Sequence, residues 1–336
     1  MPRWLNRLGS VLFRFCLLLM AVWAMLALLY SDLPGVEKAA CVAIFGVMSL
    51  FAFVGKYSDY RTRLGFIVLF SIVFGWWLLL RPSNHRNWQR DVAILPSAEV
   101  NGRIITIHNI RNCDYRTETD YTTHYYDKTF DVTNIQSLDL FLIYWGSPYI
   151  AHSILSFNFN EENPISISIE TRKEVGEEYS TVKGFFRQYE SIYVVADERD
   201  LIGLRTNYRG EQVYLYRLNA TPDFIQKVFL DFVATINSLN VSPAWYNALT
   251  GNCTTGIRSH IVRYNEDSFF DWRVVVNGFA DEMLYERKRI DTSMPFPELK
   301  KISLINERAK GIDKSPDFSR MIRVGLPNMK QDTTIQ

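Results

Sequence analysis

The chain has 336 residues, with 37 Lys and Arg against 36 Asp and Glu, a formal net charge of +1. That balance provides no overall basic field, so nucleic acid is not an expected partner, and the length leaves room for two domains. The four cysteines form no Cys-x-x-Cys pair and no Cys/His cluster with zinc spacing, so no metal or cofactor is expected.

Hydrophobicity is concentrated at the N-terminus. Leu12 to Tyr30 is apolar apart from Arg14, and Ala39 to Val54 and Gly65 to Leu80 are almost wholly so. The first run is about the length needed to cross a bilayer, and the other two are short but plausible spans. It lacks a small-residue cleavage site and two further runs follow, so it reads as an anchor rather than a cleaved signal. Arg3, Arg7 and Arg14 at the first end, and Lys56, Arg61 and Arg63 in the second connection, favour those parts on the inside. Three spans then place everything after Arg81 outside, which in a bacterium is the periplasm. The expected division is 1–83 as a three-helix transmembrane anchor, 84–311 as an outer α+β domain, and 312–336 as a loose tail.

After the anchor, Gly102 to His108 alternates as a strand does, and Arg111 to Thr129 reads as a long surface segment. Leu138 to Trp145, Ile150 to Phe159, Ile165 to Glu170, Glu190 to Ala196 and Glu211 to Leu218 are strand-like. Gly146-Ser147-Pro148, Glu161 to Pro164 and Asn207 to Gly210 supply turns. Thr221-Pro222-Asp223 opens a helix with an apolar stripe from Phe224 to Ile236. Asn252 caps another helix that begins at Cys253 and runs roughly to Tyr264. Two more helical pieces are expected near 279–287 and 297–310.

A thiol in the first turn of a helix sits where backbone N–H groups and the helix dipole favour a thiolate. Cys253 is therefore the candidate nucleophile. A Cys113–Cys253 disulfide is the alternative in an oxidising compartment and would remove it. His260, seven residues on along the same helix, lies about 10 Å away, too far to take the proton. His152 is a better base. It sits on the Ile150–Phe159 strand, and Glu170 is the only acid on the neighbouring Ile/Ser strand. A hairpin around 161–162 pairs positions summing to about 323, which brings 152 and 170 nearly opposite, about 5 Å apart. Glu170 would then hold the imidazole in one tautomer. Trp145, Trp245 and Tyr246 are candidates for an apolar substrate wall, and Arg172 and Arg209 for a phosphate or carboxylate. For each of these residues, ordinary core packing or a solvated surface is the competing reading.

The segment from Asn84-His85-Arg86-Asn87-Trp88 to Asn252-Cys253-Thr254-Thr255 resembles the Lnb N-terminal periplasmic domain family. The marks are Ala151-His152-Ser153-Ile154-Leu155-Ser156-Phe157, Ile169-Glu170-Thr171-Arg172, Asn207-Tyr208-Arg209-Gly210 and Asn252-Cys253-Thr254-Thr255, and the resemblance covers roughly residues 84 to 310. The order His, acid, Cys is similar to circularly permuted members of the NlpC-like papain superfamily. The resemblance implies a papain-like domain with a central antiparallel sheet and flanking helices, Cys253 as nucleophile, His152 as base and Glu170 as orienter. It also implies acyl transfer, since the family takes its name from an enzyme that acylates the N-terminus of bacterial lipoproteins. This chain departs from that enzyme in carrying three spans in front rather than a long C-terminal membrane portion. The expected partners are accordingly the inner membrane and a lipid or lipoprotein substrate. A cell-wall peptidase or amidase, and a non-catalytic binding module, are the rival readings.

Overall fold

The computed structural model describes residues 3–53, 60–160, 164–265 and 271–329. Lys56, most of the expected Glu161–Pro164 connection and the last residues of the tail lie outside these, as do the side chains of Arg3 and Arg7. The chain divides into two units, one of residues 1–83 with 179–189, the other of 84–178 with the remainder.

The first unit contains α1 (Arg3–Leu29), α2 (Gly35–Phe53) and α3 (Tyr60–Leu79). All three are long and apolar enough to cross a membrane. They meet through Leu17, Ala24, Phe45, Phe66 and Val73, while Leu12, Leu19, Leu50, Val68 and Ile72 point outward. A helix apolar on both its inner and outer sides is suited to a hydrocarbon solvent, where small residues such as Ala21 and Ala24 permit close approach. Residues 179–189 belong with these helices and not with the outer domain in which the sequence division put them. Phe186 lies against the rings of Trp23 and Tyr30, partners more than 150 residues upstream that local pattern cannot reveal.

The second unit is built on strands β1 (Ser97–Asn101), β2 (Ile104–Arg111), β3 (Asp114–Tyr115), β4 (Tyr121–Thr122), β5 (Tyr125–Asp131), β6 (Ile135–Tyr144), β7 (Ala151–Phe159), β8 (Ile165–Arg172), β9 (Glu190–Asp197) and β10 (Gln212–Arg217). The helices are α4 (Glu198–Gly203), α5 (Pro222–Val241), α6 (Cys253–Val262), α7 (Ala280–Glu286), α8 (Phe296–Ser303), α9 (Asn306–Ala309) and α10 (Phe318–Met321). The main sheet runs β1-β2-β9-β8-β7-β6-β10, with β5 also on β2. Its pairings are antiparallel except β2 with β9, so the fold is α+β.

The sheet is covered on both sides. On one, Leu155, Phe157, Ile165, Ile167 and Ile169 pack against Ile225, Phe229, Phe232 and Ile236 of α5 and Ile257 of α6. On the other, Phe141, Ile154, Ile192 and Val194 meet Leu201, Ile305, Phe318 and Ile322. The strict Ile/Ser alternation of β8 therefore does not mark a solvated face, because Ser166 and Ser168 are fully buried.

The second cover corrects the expectation of a loose tail after 311. Phe318, Ile322, Leu326 and Met329 are core residues. Arg323 reaches the carboxylates of Asp139 (2.9 Å) and Glu198 (2.5 Å), and Arg217 pairs with the same Asp139. Their spacing of four, four and three residues is a helical stripe, but Gly325 and Pro327 interrupt it and the exposed Met321 and Val324 lie between its members, so it does not stand out as an element. Arg111 to Thr129, expected as a surface segment, contains the β3–β4 hairpin and leads into β5. Its Tyr115 is buried beside Cys113 and Leu204.

Candidate active site

Asn252 has extended backbone and accepts from the N–H groups of Thr254 (3.0 Å) and Thr255 (2.9 Å), while the Thr255 hydroxyl accepts from the Asn252 N–H. This reciprocal cap starts α6 at Cys253. It also engages the Thr254 N–H, which is therefore not open to a substrate oxygen beside Cys253. One turn later Gly256 lies on Ile169, where a Cβ would come within 2.7 Å of Cδ1. That close approach presses the start of α6 onto the strand that carries Glu170.

The β7–β8 ladder runs from Phe157↔Ile165 to Ile154↔Ser168, a register sum of 322. It stops two residues short of His152 and Glu170, which share the sheet face of Ile154 and Ser168. Their side chains meet, with His152 Nε2 3.1 Å from Glu170 Oε1 and 2.7 Å from Ser168 Oγ. The Ser168 hydroxyl donates to Glu170 Oε1 at 2.7 Å, so toward His152 it accepts. Nε2 therefore carries a proton, and Nδ1 is the ring nitrogen left for the thiol. Arg205, buried in the π-helical turn Leu204–Tyr208, donates to the same Glu170 oxygen at 2.8 Å.

Burial disfavours charge on all three groups, and their mutual attraction outweighs it. Glu170 is held well below the ordinary carboxylate range by His152 and Arg205. Glu170 and Cys253 push His152 up to about 9. Cys253 is lowered by His152 and by bonds from the Ser153 N–H and the Thr254 hydroxyl. Both shifts favour a proton on the imidazole and an ionised sulfur. Cys113 is the contrast. It is free and buried like Cys253, yet burial and Asp200 push its thiol up to about 12. With both cysteines free, the disulfide alternative is not formed.

Asn277, which sequence reading passed over, completes the surroundings. Its Oδ1 accepts from the Ala151 N–H at 2.8 Å, and its Nδ2 donates to the Ala151 carbonyl and to Thr254 Oγ1, each at 2.6 Å. Nδ2 also lies 3.9 Å from the sulfur. Ser153 Oγ touches Thr254 Oγ1 at 2.8 Å, so the residues flanking His152 and the residue after Cys253 form one network. Gly278 makes this possible, since a Cβ there would meet the Pro148 carbonyl at 2.2 Å. The local signal was an Asn-Gly pair, which by itself points to a turn. Asn277→Ala strands a buried N–H and a buried carbonyl at Ala151, an expected loss of about 1–3 kcal/mol. A lowered denaturant midpoint at unchanged slope would register it, and an unchanged midpoint would refute it.

The other nominated residues divide. Trp145 follows the end of β6 and is 40% exposed. Trp245 bridges to Glu190 at the start of β9 and lies beneath the Arg86 guanidinium, and Tyr246 is buried. Arg172 is not available to a ligand. It is buried over Trp88 and donates to the carbonyls of Val92 and Ala93 and to Asn84. Arg209 is committed to Glu118 (2.9 Å) and Glu211. Sequence marks both as cations without showing these partners. His260 lies on the far part of α6, buried between Asp231 (2.5 Å) and the Tyr193 hydroxyl (2.9 Å). Among the described residues no group of three or more His, Cys, Asp or Glu could hold a metal ion.

No curated protein and no solved structure matches the chain. The family model of the Lnb N-terminal periplasmic domain matches residues 121–278, a shorter span than the 84–310 over which the resemblance was read. The matched span holds His152, Glu170, Cys253 and Asn277. Behind three helices long and apolar enough to cross a membrane, the chain thus carries a segment, residues 121–278, that matches the Lnb N-terminal periplasmic domain family.

Proposed function

We propose that the protein is a thiol enzyme anchored in the bacterial inner membrane, acting by acyl transfer or hydrolysis on a lipid-linked substrate such as a lipoprotein. The observation that carries this reading is the placing of His152 against Glu170 beside the buried Cys253, an arrangement that raises the imidazole and lowers the thiol. The Cys253 thiolate attacks an ester or amide carbonyl, and the Cys253 N–H steadies the oxyanion. His152 returns its proton to the leaving oxygen or nitrogen as the tetrahedral adduct collapses to a thioester. It then takes a proton from the incoming amine or water, which accepts the acyl group and frees the thiol. Glu170 stays ionised under Arg205 and holds the ring. Trp145 and Trp245 would line the acyl chain. The charge distribution of the N-terminal segments favours three spans with the N-terminus inside, which holds the domain at the outer bilayer surface.

Mass spectrometry of the membrane-extracted protein tests the proposal. An acyl adduct on Cys253, absent from Cys253→Ala, is the expected result. Release of peptide from cell-wall fragments, with no adduct from lipoprotein or phospholipid, would assign the thiol to a peptidase or amidase instead. A full biological phenotype in both Cys253→Ala and His152→Ala would reduce the domain to a binding module.

A further inference from the structure

We propose that residues 179–189, the second part of the connection between β8 and β9, are themselves a membrane element. Its outward face would lie among the lipid headgroups and first acyl carbons of the bilayer that α1, α2 and α3 enter. All the observations lie within the helical unit. On its inner side the segment is fixed to the helices. Phe186 sits 6.0 Å, centroid to centroid, from both Trp23 and Tyr30 near the end of α1. The Arg187 guanidinium covers the Trp77 ring at 4.1 Å and donates to the carbonyls of Trp77 (2.9 Å), Leu78 (3.0 Å) and Leu80 (3.3 Å). Those are last-turn carbonyls of α3 and its exit, which a helix end leaves without intrahelical donors. Tyr189 is fully buried and stacks on Tyr179.

The outer side is apolar. Tyr179, Val182 and Phe185 are 45%, 41% and 40% exposed within seven residues. The helix ends that this segment touches expose Leu29, Leu78 and Leu79 as well. Single exposed apolar residues are ordinary, but a cluster continuous with lipid-facing helices is not. Trp23, Tyr30, Trp77, Tyr179 and Tyr189 together give the aromatic belt found at a membrane–water boundary. Arg187 and Lys183 supply positive charge suited to headgroup phosphates. Lipid is the occupant that satisfies both the apolar rim and the basic residues, because the same unit's helices already need it.

The full chain is reconstituted in vesicles of phosphatidylethanolamine and phosphatidylglycerol doped with a phospholipid bearing a diazirine near the glycerol end of its acyl chain. After irradiation and digestion, the proposal expects adducts on 179–186 at a yield like that of the α3 end around Leu79. Peptides containing Trp272 and Val324, exposed apolar residues of the other unit, remain unlabelled. Labelled helix peptides with 179–186 no higher than the Trp272 peptide would overturn it and turn that face to water or to a protein partner. The readout is independent of any chemistry at Cys253.

Discussion

His152→Ala is expected to abolish the reactivity of Cys253 at mildly acidic pH. In the native protein the imidazolium opposes the burial that would otherwise raise the thiol. Without it, burial and the remaining charge of Glu170 both disfavour the thiolate, and the pKa rises to at least the ordinary ~8.5. At pH 6 a thiol of that pKa is ionised in only about one molecule in 300, so iodoacetamide alkylation slows by about two orders of magnitude. The native profile should stay reactive below neutrality and change again as His152 loses its proton near pH 9. The sign for stability follows. A His pKa raised by its partners stabilises the fold fully below about 6.5, and that contribution disappears as pH climbs through about 9. Alkylation of native and His152→Ala proteins with the same pH dependence would sink the assignment of His152 as the proton's holder.

The second large effect is expected far from the thiol. Asp139 is fully buried on β6 and takes Arg217 and Arg323 together. Its pKa is lowered because those two guanidinium groups outweigh the burial penalty. Asp139→Ala leaves the mostly buried Arg217 without its carboxylate and Arg323 with Glu198 alone, a loss of about 3–5 kcal/mol. It should also release the C-terminal segment, since Arg323 is one of its ties to the sheet. Hydrogen exchange would then show residues 318–329 losing protection before β6 and β7 do. Protection lost everywhere at once would mean that the segment is integral to the cooperative core, and no loss at all would show the pair network to be dispensable.

What could be read from sequence and what could not separate along a physical line. The hairpin register was legible because side-chain alternation and a short connection fix it within one residue; the expected sum of 323 compares with 322 in the ladder. The caps of α5 and α6 were legible because Thr221 and Asn252 act on their own next turns. Three apolar helices and strands β6 to β10 follow from period and length. The settings of charged residues were not legible. Arg172 and Arg209 look like free cations until Val92, Ala93 and Glu118 are brought to them by other elements. Arg205 and Ser168 gave no signal and Asn277 only that of a turn, since their roles depend on partners up to 126 residues away. The terminal segment and residues 179–189 were misplaced for the same reason, as each packs on something distant in the chain.

The contact between Ser153 and Thr254 spans 101 residues, so the setting of Cys253 is assembled from parts distant in the chain. A chain emerging on the oxidising side of a membrane presents Cys253 as an ordinary thiol, mostly protonated and slow to react. His152 and Glu170 precede it, with β9, β10 and α5 lying between them and α6 in the chain. Under the proposed function, the thiol therefore gains its base only when residues made far apart in time are brought together, and a chain cut short before α6 carries the base without the nucleophile.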